Sequence, residues 1–313
     1  MAEVSVAERL TAAGFSLGWG TGRAFDTRLA RALFDEVADL GWRRRGPGVE
    51  QLRTNLRRVV GPDMSEAHLD DLTRRGVRSY ARYFREMFWM PTARAGLVAQ
   101  RTNTYGDAHV ERVLAQGRGV ILALPHSGNW DAAAVGYMAR FDRPMTVVAE
   151  RLRPESLYQR FAAYREGLGM VVVPLTGGAR PSAPQLSATL RAGGTVSLVC
   201  DRDLSSSGVP VSFFGQTIRV PPGPAMLAIR TGAAIIPTLP GFAGDDWNLE
   251  LFPEVDVDTP DSPKRLRERV IDVMQRVVDR FAISIARVPQ DWHMVQRLWV
   301  EDLESSPTRT SPK

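Results

Sequence analysis

Gly119-Val-Ile-Leu-Ala-Leu-Pro125, continued without a gap by His126-Ser-Gly-Asn-Trp-Asp131, is the stretch that orders the rest of the chain. An apolar run of strand length stops at a proline, a histidine follows at once, and a carboxylate arrives five residues later as the alanine-rich helical pattern 132–139 begins. This layout puts a base at a strand end. In open α/β sheets, ligands bind just beyond the carboxyl ends of strands, where loops present side chains and helix N-termini point their N–H groups outward.

C-terminal to this stretch, further apolar runs at 145–149, 170–174, 195–200 and 233–238 alternate with helical patterns near 154–168, 182–192 and 223–231. Alternation of this kind predicts an α/β fold with a mostly parallel central sheet flanked by helices. Residues 209–214 and 216–220 around Gly215 predict a hairpin, 247–252 an antiparallel edge strand, and 263–288 a long last helix. The spacing divides the chain into an N-terminal helical region (1–106), an α/β core (107–303) and a disordered Ser/Pro-rich tail (304–313).

N-terminal to it, residues 1–92 carry helical periodicity without strand alternation. Leu29, Leu33, Val37 and Leu40 fall on one side of a helical wheel, opposite Arg28, Arg31, Asp35 and Asp39. Core packing is the ordinary destination of such a face. A second destination is a membrane surface, with Phe15, Trp19 and Trp42 as apolar anchors beside basic residues.

The 313 residues have a formal charge of +5, which points to an anionic partner without choosing among nucleic acid, membrane and phosphorylated substrate. No nucleic-acid recognition motif accompanies the scattered arginines, so nucleic acid is not expected as a partner. A single cysteine, Cys200, excludes an internal disulfide framework, and no Cys/His spacing suggests a metal site. The N-terminus lacks the basic and long apolar regions of a secretory signal, and no apolar run approaches the roughly 20 residues that span a bilayer. A soluble or peripheral protein is expected.

Each predicted strand of the core ends in polar residues: His126-Ser127, Glu150-Arg151, Thr176-Gly-Gly178 and Asp201-Arg202-Asp203. A parallel sheet gathers them on one edge, although His126 and Asp201 lie far apart in sequence. Asp131 lies within reach of the His126 ring, and an adjacent carboxylate would fix the imidazole tautomer and leave the other nitrogen as a base near neutral pH. Nucleophiles fare poorly. There is no G-x-S-x-G elbow, Ser127 directly follows the histidine, and Cys200 ends an apolar strand beside an acid. Glycine-rich nucleotide-phosphate motifs are missing too. A histidine base without a protein nucleophile suits direct transfer of an activated acyl group to a hydroxyl, with helix-start N–H groups available for the oxyanion.

His126-Ser-Gly-Asn-Trp-Asp131 resembles the H-x-x-x-x-D motif of the lysophospholipid acyltransferase superfamily, and Phe213-Phe-Gly215 after Asp201-Arg-Asp203 resembles its lipid A acyltransferase branch. Within that branch the chain more closely resembles the actinobacterial phosphatidylinositol mannoside acyltransferases. The likeness rests on Leu124-Pro-His-Ser-Gly-Asn-Trp-Asp131, the stretch 148–161, Tyr164-Arg-Glu166 and Asp291-Trp-His-Met294, and it runs from about residue 50 to 303. The resemblance implies transfer of a long-chain acyl group, typically palmitoyl, from acyl-CoA to a mannose 6-hydroxyl of a phosphatidylinositol mannoside. It implies a peripheral, monomeric enzyme on the cytoplasmic face of the cell membrane, with acyl-CoA as co-substrate and no other cofactor. His126 is then the general base, Asp131 the motif carboxylate and Asp201 the second acid. Arg165, Glu150, Arg151, Arg202 and Ser127 are the substrate-binding candidates. Mannoside acyltransferases carry glutamate where this chain has Asp201. The alternatives are another glycolipid or lysophospholipid acceptor, an acyl-carrier-protein donor, and a non-catalytic arginine-rich membrane-binding protein.

Overall fold

The apolar run at 120–124 sits at the centre of the molecule because both faces of the sheet around it are covered. The computed structural model describes residues 14–15, 18, 20–94, 96–151, 154–178, 181–203, 207–257 and 264–304. Among the described residues, a turn of 3-10 helix (Gly22–Asp26) precedes three long helices: α1 (Arg28–Arg44), α2 (Pro47–Val60) and α3 (Glu66–Trp89). The α/β part follows as β1 (Thr102–Tyr105), α4 (Asp107–Ala115), β2 (Val120–Leu124), α5 (Trp130–Phe141), β3 (Met145–Ala149), α6 (Glu155–Gly167) and β4 (Val171–Pro174). It continues with α7 (Ser182–Arg191), β5 (Thr195–Val199), the hairpin β6 (Val209–Phe213) and β7 (Gln216–Val220), α8 (Gly223–Thr231), β8 (Ala234–Ala243), β9 (Asp246–Leu251) and α9 (Leu266–Arg287).

The main sheet has seven strands in the order β1-β9-β8-β2-β5-β3-β4. The five strands from β8 to β4 are parallel, and β9 is antiparallel to β8. The sequence places 247–252 at an edge, but β1 pairs parallel to β9 and takes the edge instead. Thr102-Asn-Thr-Tyr105 carries almost no apolar signal, so this strand was not expected. In β2, Ile121 and Ala123 enter one core with α7, α8, α9 and the hairpin, while Val120 and Leu122 enter the other with α4 and α5. A strand buried on both sides reads as a continuous apolar run.

The helical region departs from expectation at α1. Its inner face consists of Ala30, Ala38 and Asp39, and the stripe Leu29, Leu33, Val37 and Leu40 faces outward, with Leu29 80% exposed. Asp39 is drawn inward by Arg74 and Arg78 of α3, which form two hydrogen bonds each with its carboxylate and hold it below the usual carboxylate range. The Phe15 ring packs on Phe84, Phe88 and Phe161. Trp42 lies partly buried under the Arg74 guanidinium. Trp19 and residues 305–313 of the expected tail lie outside the described residues.

Candidate active site

Register alone brings the histidine and the aspartate together. Parallel pairing aligns Leu124 of β2 with Val199 of β5, and each chain then runs two residues further, to His126 and to Asp201. Adjacent strands lie about 4.8 Å apart, so side chains leaving both ends at one level can touch. His126 Nδ1 lies 2.6 Å from Asp201 Oδ1. Asp201 Oδ2 accepts the His126 backbone N–H at 3.0 Å and the Trp292 indole N–H at 2.9 Å. Burial pushes the Asp201 carboxyl upward, but the His126 charge and these hydrogen bonds outweigh it, and the net effect is a lowered pKa. An ionised carboxylate only accepts, so Nδ1 carries the proton and Nε2 keeps its lone pair. The His126 side chain is 36% exposed while Asp201 is buried, which leaves the ring open on one side and anchored on the other.

Asp131 does something else. The sequence placed it beside the imidazole, but its carboxylate accepts from Arg165 Nε at 2.8 Å and from the Tyr83 hydroxyl at 3.2 Å. It sits in the first turn of α5, which directs its side chain toward α3 and α6 and away from the end of β5. The Arg165 side chain is largely buried; burial alone would lower its pKa, yet the Asp131 charge and hydrogen bond raise it. Arg165 is therefore an internal counter-charge for the motif carboxylate, neither a rim residue nor a surface ion pair. Gly128 is required by geometry. It has φ of +55°, and a Cβ there would meet the Gly241 Cα at 2.6 Å.

The remaining candidates divide. Ser127 is buried beside the base, and its Oγ has no hydrogen-bond partner among the described residues. The Arg202 Nε is likewise buried without one, and its charge acts on Tyr80. Glu150 and Arg151 follow β3, which β5 separates from β2. Glu150 is exposed, and Arg151 is tied to Glu155 and to the Gly177 carbonyl, so neither gathers at His126. Cys200 is fully buried, and burial with the Asp201 charge pushes its thiol well up, which suits an inert side chain. At the start of α5, the Asn129 side chain takes the Ala132 N–H, and the Gly128 N–H goes to the Asp291 carbonyl, so both are committed.

Sequence reasoning missed α3 and the segment after α9. The Asn129 amide donates to Glu86 of α3, which also accepts from Trp247. The Ser79 hydroxyl bridges Asp291 Oδ1 and His293 Nε2, at 2.9 and 3.0 Å. The His293 N–H donates to the His126 carbonyl at 2.8 Å. Trp130 stands edge-on to His126 with ring centroids 5.9 Å apart. The Asp291-Trp-His-Met294 match was a signal for this segment, though it carried no role. An apolar cavity of about 470 Å³ between α1, α2 and α3 is lined in part by Tyr80, whose ring lies 5.0 Å from His293.

The model of the bacterial lipid A biosynthesis acyltransferase family matches residues 9–301. The phosphatidylinositol mannoside acyltransferase of Mycolicibacterium smegmatis is 44% identical over 295 residues, covering 94% of this chain and 93% of that protein. The phosphatidylinositol mannoside acyltransferase of Mycobacterium tuberculosis strain H37Rv is 43% identical over 304 residues, covering 96% and 92%.

Proposed function

The chain belongs to the bacterial lipid A biosynthesis acyltransferase family, and from that premise we propose that it acylates a phosphatidylinositol mannoside. The donor is a long-chain acyl-CoA, palmitoyl-CoA in our reading, and the acceptor atom is a mannose 6-hydroxyl. The observation that carries this reading is the His126–Asp201 pair, with Nδ1 tied down and Nε2 without a hydrogen-bond partner among the described residues, on a half-exposed ring.

As the acceptor oxygen attacks the thioester carbonyl, Nε2 takes the hydroxyl proton. The tetrahedral intermediate then expels the CoA thiolate, which recovers the proton from the imidazolium, so an ester and a thiol replace a thioester and an alcohol. Asp201 stabilises the imidazolium without taking its proton. No acyl-enzyme forms, in keeping with the buried, inert Cys200. The apolar cavity lined by Tyr80 falls in the size range of small-molecule sites, roughly 300–1,000 Å³, and suits the acyl chain.

The enzyme works from the cytoplasmic face of the membrane, held by the outward stripe of α1 and the exposed Arg43, Arg44 and Arg45 at its C-terminal end. No described helix is long and apolar enough to cross a bilayer. The test is transfer of labelled palmitoyl from palmitoyl-CoA to a mannosylated phosphoinositide, with acyl carrier protein as competing donor. His126→Ala is expected to abolish transfer while circular dichroism stays unchanged; full activity in that variant would overturn the mechanism.

A further inference from the structure

The loop that carries the base is clamped by a segment from the far end of the chain. After α9, a turn of 3-10 helix (Pro289–Asp291) brings Trp292 and His293 back against residues 126–128. Ser127 and Trp292 form an antiparallel bridge, flanked by hydrogen bonds from Gly128 N–H to the Asp291 carbonyl and from His293 N–H to the His126 carbonyl. We propose that Trp292 is a positioning residue for the base, holding Asp201 through its indole N–H so that the carboxylate presents Oδ1 to the His126 ring. The role in catalysis rests on the reading of His126 as the base.

Two observations carry this. A carboxylate with one attachment can turn about its terminal bond, whereas Asp201 Oδ2 is held by two donors from different segments, the His126 backbone and Trp292. Oδ1 is thereby left to the imidazole. The second observation is the direction of the indole. Trp292 is fully buried, edge-on to Phe213 and Trp299 with centroids 5.7 and 6.2 Å away, so its ring cannot swing. A buried indole N–H needs an acceptor. Trp299 gives its N–H to the backbone carbonyl of Phe213, but Trp292 gives its own to the carboxylate that holds the base.

The other titratable or charged groups around the pair are Cys200 and Arg202, Asp291 and His293 on the same segment as Trp292, Tyr80, Tyr83 and Glu86 on α3, and the Asp131–Arg165 pair. Replacing Trp292 by phenylalanine changes none of them. It removes one of the two donors that hold Asp201 Oδ2, so the carboxylate can turn and no longer keeps Oδ1 against the imidazole.

The experiment compares the wild type with Trp292→Phe. Should that variant not fold, position 292 takes 3-benzothienylalanine, which keeps the bicyclic shape and puts sulfur in place of N–H. Two readouts are used: the low-field proton resonance of His126 Nδ1–H without substrate, and the pH profile of kcat/KM for acyl transfer. We expect kcat to fall about tenfold with KM unchanged, and the acid limb to move downward by roughly 0.5–1 pH unit, because a displaced carboxylate stabilises the imidazolium less. The low-field resonance should shift or be lost to exchange. A wild-type resonance with an unmoved acid limb overturns the proposal, even if kcat falls, because that pattern is a packing defect alone. The resonance needs no substrate, so it tests the Trp292–Asp201–His126 connection even if the acyl-transfer reading fails.

Discussion

His293 lies one peptide hydrogen bond from the base. It is buried against Tyr80, and burial, with the nearby His126 charge, holds its pKa down to about 3. With Asp291 ionised, the Ser79 hydroxyl donates to that carboxylate and can only accept from His293, so Nε2 carries the ring proton. A histidine whose folded pKa lies below its unfolded value of about 6.5 contributes stability that is complete above that pH. The contribution is lost as pH falls from about 6.5 toward 3, because the unfolded state binds the extra proton. Between pH 6 and 4.5 this single site should remove about 2 kcal/mol. Asp291, raised by its burial, titrates in the other sense. Urea titrations of wild type and His293→Gln over that range check the effect. The variant should lose about 2 kcal/mol less than the wild type, and parallel curves would refute it. At this scale the sequence told part of the story. Asp201 was legible because strand ends converge in a parallel sheet. The partner of Asp131 was not, because a five-residue spacing says nothing about which way a side chain points in the first turn of a helix.

At the scale of the element, α1 shows what a periodic pattern determines and what it leaves open. The spacing of Leu29, Leu33, Val37 and Leu40 correctly reports a helix with an apolar side. It does not say what covers that side, and here Asp39, locked by Arg74 and Arg78, turns it away from the core. If the stripe meets lipid, Leu33→Glu with Val37→Glu should lower partitioning onto anionic phospholipid vesicles at least tenfold, since each side chain forfeits roughly 1.5–3 kcal/mol of burial. Both positions are 59% exposed, so folding stability should move by no more than about 0.5 kcal/mol. Vesicle flotation and thermal melting check the two halves. Unchanged flotation would remove α1 from the membrane contact, and a collapsed melting temperature would show that the stripe is core. The β1 strand makes the complementary point: its residues carry no apolar period, and only pairing with β9 makes them a strand.

Across the whole molecule, the site is assembled from pieces that the sequence separates widely, and the helical region is bound to the sheet through it. Ser79 of α3 holds Asp291 and His293, and Arg58 of α2 pairs with Asp302 beyond the clamp. Asn55 of α2, fully buried, donates to the Met294 carbonyl at 2.7 Å and to the Gln296 carbonyl at 2.9 Å. Asn55, Ser79 and Asp302 have no sequence pattern that marks them, because each matters only once distant elements have met. With these links running through the segment that fixes His126, the helical region and the sheet should unfold together, although the spacing of the sequence pattern divides them near residue 106. Asn55→Leu leaves the buried Met294 carbonyl and the partly buried Gln296 carbonyl without their donor and should cost about 1–3 kcal/mol. Urea unfolding, followed in parallel by tryptophan fluorescence and far-ultraviolet circular dichroism, should give one coincident transition with an unchanged m-value, in the variant as in the wild type. Two separated transitions would mean that the helical region folds by itself and only docks against the site. In that case the clamp on His126 would hold without α2.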